Sequence, residues 1–220
     1  MTTTETPAGP RWDLVAAERL ALADLLAPID AHAWASPSLC AGWTVREVVA
    51  HLLAGPTTPV RDVVRAVLRH RGRVDAAMDA MARDAAATTS PERLVALLRE
   101  HAGSRFSPPL LDWRAPLTDL LVHREDVAVP LGLPQDRPLG SWRLVLGFLV
   151  TRTARGAFVP GRLPAVRLVA SDAGWEHGDG PEVRGPATAL GLALTGRPAL
   201  LDRLSGPGLD ALAGHATRAR

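Results

Sequence analysis

The amino-acid sequence predicts an α+β protein, with an antiparallel four-helix bundle over residues 1–138 and a small α/β domain over residues 139–220. Two observations carry this. As far as about residue 130, apolar residues recur at helical spacing between recognisable caps. Beyond it, short apolar runs alternate with glycine turn signals.

The first helix is expected from Asp13 to Ala27, where Leu14, Ala17, Ala21 and Leu25 share a face with Leu22 and Leu26 beside them. After a loop with Pro37 and Gly42, the Thr44-Val-Arg-Glu47 segment forms a capping box, in which hydroxyl and carboxylate satisfy free backbone amides reciprocally. That helix should run to about Ala54 and stop at Gly55-Pro56. Pro59 opens a stretch through Val63, Val67 and Met78 with a break near Gly72, and Ser90-Pro91-Glu92 caps the next helix. Pro116 starts another, ending near Pro130-Leu-Gly132. In the second half, Leu139 to Arg155 reads as one helix, and Val166–Ala170, Trp175–Gly178 and Glu182–Gly185 as short strands. Pro186 to Thr195 reads as a helix closed by Gly196.

With 47% hydrophobic and 22% charged residues the chain can bury a core. No apolar run reaches the roughly 18 residues of a membrane span, and MTTTETPAGPR lacks a signal peptide's pattern, so a cytoplasmic protein without membrane contact is expected. Cys40 is the one cysteine, which excludes an internal disulfide. The pI of about 9.8 belongs to a chain whose net charge is only +2, because lysine and tyrosine are absent and little titrates between histidine and arginine. Arg46, Arg61, Arg65, Arg69 and Arg83 stand mostly beside acids and read as solvated faces, which argues against nucleic-acid binding.

On a wheel of about 100° per residue, Asp119, His123 and Asp126 fall on one stripe framed by Leu120, Val127, Val122 and Val129. Polar groups with such flanks look inward, and His51 shares a face with Val48 and Leu52 in the same manner. An unpaired buried carboxylate costs several kcal/mol, which a metal ion can offset. Two imidazoles and a carboxylate, His51, Asp119 and His123, suit a divalent ion such as Zn²⁺ with open positions left over. A buried Asp119–His123 hydrogen bond beside a separate core His51 fits the same spacing.

The stretch from Trp34 through Ser36-Pro-Ser-Leu-Cys-Ala-Gly-Trp-Thr44 to His51, followed by Asp119-Leu-Leu-Val-His-Arg-Glu-Asp126, resembles the mycothiol-dependent maleylpyruvate isomerase family of the DinB/YfiT-like superfamily. Gly174-Trp-Glu-His-Gly-Asp-Gly-Pro-Glu-Val-Arg-Gly185 and Leu194-Thr-Gly-Arg197 are similar to its C-terminal domain. The resemblance implies a DinB-like bundle holding a divalent metal, usually zinc, at places matched by His51, Asp119 and His123. The isomerase itself has glutamate where Asp119 stands. It also implies mycothiol as thiol cosubstrate and a small, maleylpyruvate-like electrophile, in a monomer or homodimer.

From these expectations follow candidate roles. Asp126 matches an acid of the family pattern and is expected to orient His123 or, in a hydrolase, to act as general base. Arg197, then Arg184, are candidates to pair a substrate carboxylate, with loop pairing to Glu182 or Asp202 as the alternative. Trp43 and Trp113 precede the two ligand helices and are candidates to wall the cosubstrate pocket or to pack in the core. Cys40 reads as a small buried apolar residue, and His32, His70, His101, His177 and His215 as surface, loop or tail residues. The chemistry expected is isomerisation or thiol S-transfer, with a DinB-type hydrolase or a noncatalytic ligand-binding protein as alternatives.

Overall fold

The computed structural model describes residues 10–218. Helix α1 spans Pro10–Leu26, and a short α2, Ala31–Ala35, follows under the cap of Asp30, whose carboxylate accepts from the Ala33 amide at 2.8 Å. Helix α3 is Val45–Thr57, opened by the expected capping box: Glu47 accepts from both the amide and the hydroxyl of Thr44. It does not stop at Gly55-Pro56. Pro56 sits in the last turn, and the Thr57 hydroxyl closes the end on the Leu53 carbonyl at 2.7 Å.

The third stretch divides into α4, Val60–Arg69, and α5, Val74–Thr88. Between them Arg71 and Gly72 both take left-handed backbone, φ 57° and 80°. Only glycine adopts that region without cost, which is why the break falls at Gly72. Ser90 caps α6, Pro91–Glu100, and α7 runs from Arg114, two residues before Pro116, to Leu131, where left-handed Gly132 ends it. Helices α1, α3, α6 and α7 pack together, with α5 laid along α3.

Helix α8, Leu139–Leu149, is shorter than expected, giving way to turns before Arg155. Strands β1, Arg167–Ala170, β2, Trp175–His177, and β3, Glu182–Gly185, form one sheet in the order β2-β1-β3, antiparallel on one side of β1 and parallel on the other. The segment between β2 and β3 crosses the start of β1 so closely that a Cβ at Gly178 or Gly180 would strike the carbonyls of Val166 and Ala165. Two glycines of the C-terminal motif are thus needed for backbone approach. Helix α9, Ala187–Leu194, covers the sheet, and α10, Leu209–Arg218, which sequence periodicity did not single out, packs on α9.

One apolar core runs without a gap from Val15 in the bundle through Trp142 and Phe148 of α8 to Leu190 and Ala216. Gly191 lies against the Trp142 ring, so α8 and α9 approach at a point where any side chain would intrude. Helix α7 concentrates buried polar groups: His123, Arg124, Glu125 and Asp126 are all buried in it.

Glu125 has both carboxylate oxygens buried without a hydrogen-bond partner, and burial raises it from 4.5 to about 7. An acid with a raised native pKa holds more protons folded than unfolded between those two values. Stability therefore falls as pH rises through that window and stays lowered above it. Urea denaturation at about pH 5 and about pH 8 should show this loss, and Glu125→Gln should remove it, by up to about 3 kcal/mol.

Candidate functional site

Helices α3 and α7 bring three donors together. His123 Nε2 lies 3.4 Å from Asp119 Oδ1, His51 Nε2 lies 3.8 Å from Asp119 Oδ2, and all three donor atoms fall within 4.8 Å of one another. A tetrahedral zinc with bonds of about 2.0–2.1 Å needs donors about 3.4 Å apart, so the spacing fits. Asp119, one turn before His123 on α7, is about one-third exposed at 32%, so the cluster opens to solvent.

His123 stands between two carboxylates. Its Nδ1 meets Asp126 Oδ2 at 2.8 Å while Nε2 faces Asp119. A neutral imidazole carries one N–H and can satisfy only one of them, so the second carboxylate calls for a second proton, a cation or water facing the remaining lone pair. Burial works to lower the pKa of His123, but Asp119, Asp126 and Cys40 outweigh it and raise it well above the usual histidine value. Burial works to raise Asp119, and His123 and then His51 hold it below the usual carboxylate range instead. His51 Nδ1 is buried and has no partner.

Asp126 is fully buried, and Arg197 meets it with a planar two-pronged contact, Nε to Oδ1 at 2.8 Å and Nη2 to Oδ2 at 2.7 Å. Burial alone would raise the acid; Arg197 and His123 hold it far below its ordinary range. The chain ending of α9 delivers the arginine. Gly196 turns left-handed, the Arg197 amide returns to the Leu192 carbonyl at 2.8 Å, and Nη1 donates to the Thr195 carbonyl. The guanidinium fork proposed from sequence for a substrate carboxylate is therefore already engaged by Asp126. With no exposed surface and four donors around it, Asp126 is also badly placed to serve as a general base toward a substrate.

Cys40 corrects the sequence reading more sharply. It is not an apolar filler: its Sγ donates to Asp126 Oδ2 at 3.0 Å and lies 3.5 Å from both His123 Nδ1 and Arg197 Nη2. Its loop is pinned by the Leu39 amide on the Asp126 carbonyl and by Ser38, which binds the Trp43 carbonyl. Cys40, Trp43, His123, Thr195, Gly196 and Arg197 line a cleft of about 350 Å³. A larger groove of about 740 Å³, at Leu14, Leu144, Phe148 and Trp175, contains none of these residues.

Trp43 stands against His51, ring centres 5.2 Å apart, and its Nε1 donates to Asp79 at 2.6 Å. Arg83 holds Asp79, Glu47 and the Gly42 carbonyl, tying the loop to α5 and to the cap of α3. Sequence patterning missed Arg19. Buried on α1, it donates Nη1 to the Ala102 and Ser104 carbonyls at 2.9 and 2.7 Å; burial lowers its pKa and the charge of Asp119 partly restores it. Phe106, in the loop that follows, lies on Gly55 of α3, one turn beyond His51.

The remaining candidates fall elsewhere. Trp113 packs on the core under Arg11, whose guanidinium is 5.6 Å from the ring centre, and it is not among the residues lining the cleft. Arg184 is exposed on β3 and pairs with Glu182 at 2.8 Å, the loop pairing that was its alternative. His215, expected in a tail, is buried on α10, with Nε2 3.0 Å from the Leu194 carbonyl at the end of α9.

Residues 15–109 match the family model described as the mycothiol maleylpyruvate isomerase N-terminal domain. The match runs from within α1 to just beyond α6. The matched stretch contains Cys40 and His51 and ends before α7, so it does not include Asp119 or His123. A crystal structure of a mycothiol-dependent maleylpyruvate isomerase with one histidine changed to alanine shares the isomerase fold over 94% of this chain and 96% of its own, at TM-score 0.55 and 17% identity. A second, of the mycothiol-dependent maleylpyruvate isomerase, covers the same shares at TM-score 0.47 and 16% identity. No curated protein matches the chain.

Replacing one partner of the Asp126–Arg197 pair strands a buried charge. Arg197→Met should lower unfolding free energy by about 3–5 kcal/mol, and the double variant Asp126→Asn/Arg197→Met should recover part of that loss in a denaturant double-mutant cycle. Full additivity would show the pair to be uncoupled.

Proposed function

We propose that the chain is a metal-dependent enzyme in which a low-molecular-weight thiol of the mycothiol type adds to a small electron-poor electrophile, giving isomerisation or S-transfer. The observation that supports this most is His123 held between two carboxylates with His51 at the same centre, a donor set that calls for a cation. His51 Nε2, Asp119 and His123 Nε2 would hold the metal, and its chemistry when bound is to keep a thiol as thiolate, where free thiol of pKa about 8.5 is only about 3% ionised at pH 7.

The chain's own residues supply the rest. Asp126 takes the Nδ1 proton of His123 as a hydrogen bond, which turns the Nε2 lone pair toward Asp119 and fixes the ring. Arg197 holds Asp126 in that orientation, so both are positioning residues. Trp43 covers one side of His51 and limits water. The buried, fully engaged state of Asp126 disfavours it as the general base of a hydrolase.

Elemental analysis should find about one divalent ion per chain in the wild type and little in His51→Ala, and mycothiol should perturb the visible spectrum of cobalt-loaded wild type. A metal-replete His51→Ala, or a spectrum indifferent to thiol, would remove the basis of the proposal. Asp126→Asn should weaken metal affinity by about 10–100-fold. Because His123 must give up a proton to bind, metal uptake measured by calorimetry in buffers of different ionisation enthalpy should release protons, and affinity should fall on acidification.

A further inference from the structure

Helix α4 has no fully buried residue and packs chiefly on α5. Val63, Ala66 and Val67 turn toward the protein, half-buried, whereas Val60, Val64 and Leu68 are 69%, 50% and 72% exposed. These three recur every four residues and form one ridge. Each is followed directly by an arginine, Arg61, Arg65 and Arg69, so a guanidinium row runs parallel to the apolar ridge along its outer edge. Arg71, Arg73 and the 55% exposed Val74 extend both features past the end of the helix. Asp62, which lies 3.2 Å from Arg65, and Asp75 are the acids of this segment.

Five arginines against two aspartates between Val60 and Asp75 leave an excess of three positive charges, more than the net +2 of the entire chain. The rest of the molecule is thus slightly acidic. An arginine row beside an exposed aliphatic ridge is the pattern of a helix that lies in a lipid interface, its apolar side among acyl chains and its guanidiniums on phosphates. The shape agrees. A convex ridge on one outlying helix has no groove to receive a peptide, and antiparallel two-fold pairing of two copies would set both arginine rows on the same side of the seam.

We propose that α4 is a peripheral membrane contact that lays the Val60, Val64, Leu68 ridge and its arginine row onto an anionic lipid bilayer. The proposal is independent of the metal site and revises the expectation of no membrane contact. No helix among the described residues is long and apolar enough to cross a membrane, so contact is from one side.

The test is co-sedimentation of the full-length protein with vesicles of phosphatidylcholine alone and of phosphatidylcholine mixed with phosphatidylglycerol, at low and high salt. Binding is expected only to the mixed vesicles and should decline with salt. Arg61→Gln and Arg69→Gln should each weaken partitioning by about fivefold. Val64→Ser with Leu68→Ser should weaken it too, with the melting temperature unchanged because both side chains already face solvent. Equal sedimentation with both vesicle types, or none, overturns the proposal. So does self-association without lipid that the serine substitutions abolish, which would make the ridge a dimer seam, and so does retention of lipid binding in the arginine variants.

Discussion

The Asp126–Arg197 pair is the constraint on which the arrangement depends. It joins residues 71 positions apart, reaching from the middle of α7 to the ending of α9, and it lies where neither charge is well solvated. Left alone, either ion would be costly; together, with His123, Cys40 and the Thr195 carbonyl completing the donor and acceptor count, they are tolerated. The pair locks the C-terminal half against the bundle, and it fixes the acid that meets His123 Nδ1, leaving Nε2 toward Asp119. Fold and site therefore share one interaction.

A second set of contacts works from the opposite side. The loop before α3 has few apolar residues to bury, and it is held by polar ties instead: Ser38 to Trp43, Leu39 to the backbone of α7, and Arg83 bridging Asp79, Glu47 and Gly42. Trp43 is the product of these ties. Its indole is anchored at one end by Asp79 and set against His51 by its face, so the side chain walls the cluster of His51, Asp119 and His123. Arg19 does comparable work from α1, fixing the start of the loop that carries Phe106.

What could be read from sequence was what local chemistry determines. The Thr44 box, the Ser90 cap and the Gly132 ending stand where hydroxyl, carboxylate and glycine patterns placed them, because a cap is decided within four residues. The shared stripe of Asp119 and His123 was equally legible, since helix geometry alone puts them on one face. Pro56 was misread as a stop because its cost depends on how the last turn is closed, which Thr57 settles. Sequence identifies Arg197 but leaves its fork free, and it reads Cys40 as filler. Both errors have the same origin: which residue meets Asp126 is a tertiary fact with no periodic trace. His215 and α10 escaped for a related reason, since a short alanine-rich helix is defined by packing on α9 rather than by its own pattern.

The contact between Gly55 and Phe106 has an evolutionary consequence. Position 55 has no Cβ, and the benzyl ring rests in the space a methyl would fill. A single-nucleotide step from glycine to alanine or serine would unseat that ring from its helix while leaving His51, Asp119 and His123 in place. Variation at this one small residue would thus reposition an aromatic ring one turn from His51 without altering any donor of the cluster.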